Sequence, residues 1–154
     1  MKNNDFYVIA HNIRSLYNVG TIFRTSDALG VNKIFLTGYT GRPPRKEIAK
    51  VALGAENIVP WEGTKNISSL LKRLKKDGVR IIALEKTDLA IDYLDFVPQF
   101  PLALLLGNEV RGVSTSLLKQ VDKIISLPMK GEKESLNVGV AMAVAGYYIA
   151  SKKL

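Results

Sequence analysis

Two kinds of hydrophobic pattern alternate along this chain. FYVIA (6–10), KIFLT (33–37), VRIIAL (79–84) and PLALLLG (101–107) are apolar runs with little or no polar alternation. Such runs suit strands covered on both faces, as in parallel sheets. IVPW (58–61) and KIISLPM (123–129) are two further predicted strands. Between them, apolar positions recur at helical spacing. From Asn18 onward Val19, Ile22, Phe23 and Leu29 share one face, with Gly30 as a left-handed stop. ISSLLKRLKKDG (67–78) directs Ile67, Leu70, Leu71 and Leu74 inward and Lys72, Arg73, Lys75 and Lys76 to water. Short helices are expected over 48–53 and, capped by Ser114, over TSLLKQV (115–121). GYTGRPPRKE (38–47) reads as a loop.

The last helix is predicted to begin near Leu136. It is apolar nearly all round, through Val138, Val140, Met142, Val144, Tyr147, Tyr148 and Ile149. A helix of that kind needs cover on more than one side. The sheet supplies one cover, and a second copy of the chain is the expected other. Strands alternating with helices predict a single α/β domain over 1–154, with a mainly parallel sheet flanked by helices.

Composition narrows the chemistry. The 154 residues include no cysteine and one histidine, His11. That excludes a disulfide framework, a Cys-based metal site and a His-rich metal site. The N-terminal MKNNDFYVIAHN has no apolar core of signal-peptide length, and the longest apolar run (138–150) is shorter than the ~20 residues a bilayer requires. A soluble cytoplasmic protein is the expectation. Lys and Arg outnumber Asp and Glu by 22 to 14, and the net charge of +8 favours a polyanionic partner, nucleic acid first.

Three polar clusters interrupt the apolar pattern: NVGTIFR (18–24), LGNEVRG (106–112) and GEKESLN (131–137). Arg24 is either a phosphate clamp, suited by its planar fork, or an ordinary surface arginine. LGNEVRG directly follows a strand, where open parallel sheets bind ligands, although its glycines also suit a plain tight turn. Glu134, Ser135 and Asn137 stand at the entrance of the last helix, where Ser135 is either a cap or a ligand contact. No G-x-G-x-x-G follows a strand and no G-x-x-x-x-G-K-[ST] is present, so a dinucleotide Rossmann enzyme and a P-loop NTPase are poorly supported. A Ser-His-Asp hydrolase would need His11, which has no orienting motif around it.

NVGTIFRTSDALGV, LALLLGNEVRGVS and IISLPMKGEKESLNVGVAMAVAGYY, in that order, closely resemble the three signature motifs of the TrmH/SpoU family of RNA ribose 2′-O-methyltransferases, members of the SPOUT superfamily. The resemblance runs from about His11 to Tyr148. It implies an α/β-knot fold with a C-terminal trefoil knot, S-adenosylmethionine as methyl donor, and a homodimer with its sites at the subunit interface. Arg24 matches the family's catalytic arginine and Asn18 the asparagine of the first motif; Glu109, Ser135 and Asn137 complete the implied catalytic set. Leu84, Leu106, Gly107, Asn108, Glu109, Leu127, Met129, Ser135, Leu136 and Asn137 match positions around the cofactor. No metal is implied.

RNA contact is expected at Arg14, Arg24, Arg42, Arg45, Lys46 and Lys50. Lys72, Arg73 and Lys76 fit RNA contact and a solvated helix face equally well. The substrate would be transfer or ribosomal RNA. Two alternatives are a catalytically silent RNA-binding dimer of the same fold and an RNA base methyltransferase. The intact Asn18, Arg24, Glu109, Ser135 and Asn137 weigh against the first, and the ribose-type motifs against the second.

Overall fold

β6 (Leu102–Leu106) lies at the centre of a seven-stranded sheet, and all five of its residues are buried. The computed structural model describes residues 3–153. β1 (Phe6–His11) and β4 (Arg80–Leu84) flank β6. β2 (Lys33–Thr37) and β3 (Trp61–Thr64) extend one side, and β7 (Lys123–Ser126) and β5 (Ile91–Asp92) the other. The order is β3-β2-β1-β6-β4-β7-β5, with every pair parallel. The apolar runs are continuous because successive side chains point to opposite faces and both faces are covered.

Phe6, Val8, Ala10, Leu104 and Leu106 pack toward α1 (Leu16–Leu29), α2 (Lys46–Ala52) and α5 (Val138–Ser151). Tyr7, Ile9, Ala103 and Leu105 pack toward α3 (Ile67–Lys76) and the single-turn α4 (Thr115–Leu118). The expected helix over 67–78 ends at Lys76, and Gly78 takes a left-handed turn with φ +80°.

Several boundaries differ from expectation, each for a local reason. α1 begins at Leu16 rather than Asn18, because Ser15 Oγ accepts the Asn18 N–H and caps the helix earlier. Gly30 closes it with φ +66°, as expected. α2 begins at Lys46, inside the stretch read as loop, and ends before Leu53, which is left-handed at φ +51°. The third strand forms at Trp61–Thr64, not 58–61. Ala55–Asn57 form a 3₁₀ turn, Ile58 is exposed, and Pro60 carries no N–H, offering only its carbonyl to Ile34 N. β7 stops at Ser126, two residues before Pro128, which has no donor to continue a ladder. α4 ends at Leu118, short of 121, though Ser114 caps it as expected. The two-residue β5 has no counterpart in the sequence reading.

The last helix starts at Val138, capped by Asn137. Its Oδ1 accepts the N–H of Gly139 at 2.9 Å and of Val140 at 3.2 Å. Ser135 is therefore not the cap.

Candidate active site

The loops that carry the second and third clusters, and the turn that leads into the helix carrying the first, leave the carboxyl ends of the parallel strands. That is the edge where open α/β sheets bind ligands. The Asn12–Ser15 turn follows β1, the 85–90 loop follows β4, the 107–113 loop follows β6, and a long segment, 127–137, follows β7.

Glu109 ties these loops to α1. Its carboxylate accepts the backbone N–H of Arg14 and of Ser15, each at 2.8 Å. It also accepts the Asn18 side-chain amide at 3.0 Å. Asn18 Oδ1 in turn accepts from Asn137 Nδ2 at 3.1 Å, and Asn137 caps α5. One chain of hydrogen bonds thus runs from the 107–113 loop through the start of α1 to the start of α5. Burial pushes the Glu109 carboxyl upward. The hydrogen bonds from Arg14, Ser15 and Asn18 outweigh it and hold the group below the ordinary carboxylate value.

The 107–113 loop is braced from within. Asn108 Oδ1 accepts the N–H of Val110 at 2.9 Å and of Arg111 at 2.8 Å. Asn108 and Gly112 exchange backbone hydrogen bonds at 3.2 and 2.9 Å. The turn needs glycine at its base: a Cβ on Gly107 would lie 2.5 Å from the Gly112 carbonyl carbon. Glu85 supports it from the side, accepting the Val113 N–H at 2.8 Å.

A cavity opens between this loop, the end of β4 and the 127–137 segment. Leu84, Leu106, Leu127, Met129, Leu136 and Val138 give it apolar walls. Gly107, Asn108, Glu109 and Ser135 line it too, so nine of the ten residues matched to the cofactor position meet around one space. Asn137 is the exception. It does not line the cavity and acts one step away, through Asn18 and the α5 terminus. Motif reading passes over Glu85, Lys86, Val110, Gly112, Ser126, Val138, Ala141 and, as a lining residue, Glu134. Three of them carry a positional signal: Glu85 and Lys86 directly follow the buried β4, and Ser126 ends β7.

Arg24 is exposed on α1, does not line the cavity, and makes no ion pair among the described residues. Its cationic head is available to an outside anion. Arg14 leads into α1 at the same edge, its side chain exposed. Arg42 lies across the backbone of β3, where a Cβ on Gly63 would stand 2.4 Å from its guanidinium carbon. Arg45, Lys46 and Lys50 are exposed at and within α2, with Arg45 3.9 Å from Glu47. Arg73 is taken up by an ion pair with Glu62 and packs over Phe35 on the other face of the sheet, while Lys72 and Lys76 are exposed there.

His11 is half-buried, with Nδ1 2.9 Å from Thr37 Oγ1, and burial lowers its pKa. Among the described residues no cluster of three metal-ligating side chains occurs. No helix among them is long and apolar enough to cross a membrane.

The family model described as the SpoU rRNA Methylase family matches residues 5–147. The chain is 32% identical over 146 residues to a TrmH family protein of Staphylococcus haemolyticus, covering 95% of this chain and 58% of that one. It is 31% identical over 143 residues to the tRNA (guanosine(18)-2′-O)-methyltransferase of Escherichia coli, covering 93% and 62%. Its fold superposes on the AdoMet-bound rRNA methyltransferase from Sinorhizobium meliloti with a TM-score of 0.90 and 26% identity, covering 99% and 58%. The chain thus spans about three fifths of the length of the curated relatives it matches.

Proposed function

The chain belongs to the SpoU rRNA methylase family, and we propose that it transfers a methyl group from S-adenosylmethionine to a ribose 2′-hydroxyl of transfer or ribosomal RNA. The observation that carries this reading is the hydrogen-bonded path Glu109–Asn18–Asn137, which joins the three clusters beside one cavity.

The cavity suits that donor. Leu84, Leu106, Leu127 and Met129 offer apolar walls to an adenine ring. Glu85, Ser126 and Ser135 offer polar groups for hydroxyls and for a charged end. Bound there, S-adenosylmethionine supplies a methyl group on a positively charged sulfur. The residues of the chain then have separate tasks. Glu109, Asn18 and Asn137 hold α1 against α5 and against the 107–113 loop, which fixes where α1 carries Arg24. Ser135 and the 107–113 loop, which line the cavity, would hold the donor. The Arg24 guanidinium stays protonated. It binds an RNA phosphate and stabilises the negative charge that develops on the attacking ribose oxygen. The hydroxyl proton passes to that bound phosphate. Correct alignment of the ribose oxygen, which the two helices enforce, contributes as much as any charge.

Arg14, Arg42, Arg45, Lys46 and Lys50 give the RNA its electrostatic contact. Val140, Val144 and Tyr147 form an exposed stripe along α5, and a second copy of the chain covers it. The C-terminal trefoil knot that the family resemblance implies is part of the same proposal. A cysteine-free chain acting on RNA fits a cytoplasmic enzyme. Calorimetry with S-adenosylmethionine tests the pocket: saturable binding by the full chain is expected, and its absence overturns the assignment. Sedimentation at micromolar concentration should give a dimer; a strict monomer overturns that part alone.

A further inference from the structure

Tyr39 stands in the loop after β2 with 62% of its surface exposed, yet it is held at both ends. Its backbone N–H donates to Asn12 Oδ1 at 3.1 Å. Its hydroxyl oxygen accepts from Asn108 Nδ2 at 2.8 Å, and that same amide donates to Asn12 O at 3.0 Å. The residues on either side are pinned as well. Thr40 is buried, donating to Ala10 O at 2.8 Å and accepting the Ile13 N–H at 3.0 Å. Gly38 is left-handed at φ +62°, so close to Asn12 that a Cβ would lie 1.9 Å from Asn12 Oδ1.

The ring is therefore both rigid and solvated. Fixing an aromatic ring in water brings the folded chain little, because the hydroxyl bond to Asn108 could be made by a smaller group. Its position is specific: Asn108 lines the cavity, Arg14 precedes α1 at the same edge, and exposed Arg42 and Arg45 follow Tyr39 along its own loop. RNA-binding proteins hold splayed bases on aromatic faces set into cationic surfaces.

We propose that Tyr39 is the platform on which a base of the RNA substrate stacks, next to the methyl-donor cavity. The inference rests on the RNA-methyltransferase reading above. The hydroxyl anchors the ring to the cavity wall through Asn108, and the face of the ring takes the base. A base seated there sets the distance between its own ribose and the cavity, whatever its identity, because every base has a flat face.

The test separates bases from phosphates. Fluorescence anisotropy measures binding of a mixed-sequence single-stranded RNA 12-mer and of a ribose-phosphate 12-mer without bases, at one salt concentration. The wild-type chain should prefer the base-bearing strand by about 5- to 150-fold, the range that one stacked base supplies. Tyr39→Leu, which keeps apolar bulk but no flat face, should erase that preference. Tyr39→Phe should keep it. A leucine variant that discriminates as well as wild type overturns the proposal, as does a phenylalanine variant that has lost discrimination. Wild-type binding of both strands with equal affinity overturns it too and leaves the RNA reading standing. Binding of neither strand overturns the platform as well, while methylation of transfer or ribosomal RNA tests the RNA reading separately.

Discussion

Replacing Glu109 with glutamine changes charge and almost no volume, so it isolates the contact that joins the three clusters. The native carboxylate receives two backbone N–H groups at 2.8 Å and one amide at 3.0 Å. A glutamine has one acceptor oxygen, and its NH₂ must face one of those donors. One charge-assisted hydrogen bond is lost and the others weaken. Hydrogen bonds to charged groups contribute roughly 1.5–3 kcal/mol each when well shielded. The Arg14 contact is solvent-exposed and the other two are half-buried, so about 2 kcal/mol is the expected total loss. For a chain of this size that is a drop of about 4–8 °C in Tm. The pH dependence has a definite sign. A carboxyl held below its ordinary pKa contributes stability that is present above the unfolded value, near about 4.3, and is lost as pH falls through the folded value. The gap between wild type and Glu109→Gln should be widest at neutral pH and close in acid. Urea denaturation followed by far-UV circular dichroism, at neutral pH and at steps from roughly pH 5 down to 3, measures both effects. A variant as stable as wild type at neutral pH, or a gap that does not narrow in acid, refutes the role assigned to Glu109.

Arg24→Ala should reduce methylation at least about hundredfold, as losing a charge-stabilising donor does elsewhere. Its affinity for S-adenosylmethionine by calorimetry should stay within about twofold, since Arg24 does not line the cavity. Gly20→Val should destabilise the fold by roughly 1–3 kcal/mol in urea titration. Its Cβ would meet the Ile48 carbonyl oxygen at 2.6 Å and the Ala52 nitrogen at 3.2 Å, backbone atoms that cannot rotate away. Changing Arg42, Arg45 and Lys46 together to alanine should lower the slope of log affinity for single-stranded RNA against log salt by about 2, at ~0.7 per phosphate contact. An unchanged slope would remove that loop from the RNA surface.

The sheet is legible in the sequence because its strands are buried on both faces, and LALLL and FYVIA announce that by lacking alternation. Helix starts are less so. Periodicity shows where a stripe exists, whereas caps decide where it begins. Ser15 starts α1 before its clearest apolar residues, and between two good capping residues, Ser135 and Asn137, only tertiary structure chooses. Asn137 takes the place because its amide also reaches Asn18, 119 residues away. Motif order marks Asn18, Glu109 and Asn137 as one set, but spacing along the chain does not reveal that they bond to one another. β5 is too short to carry a pattern, and Tyr39 sits in a basic loop whose charges draw the eye first.

The most direct measurement uses the chemistry of the 2′-hydroxyl itself. Alkali cleaves RNA only where a free 2′-oxygen can attack the neighbouring phosphate, so a 2′-O-methyl group protects that linkage. The full chain is incubated with S-adenosylmethionine labelled in its methyl group and with transfer and ribosomal RNA from cells lacking the protein. The RNA is then hydrolysed in alkali. Ribose methylation predicts label in alkali-resistant dinucleotides, lost with Arg24→Ala. Label in mononucleotides would mean methylation of a base, and RNA that gains no label would mean that the chain is not the methyltransferase proposed; either result contradicts ribose transfer.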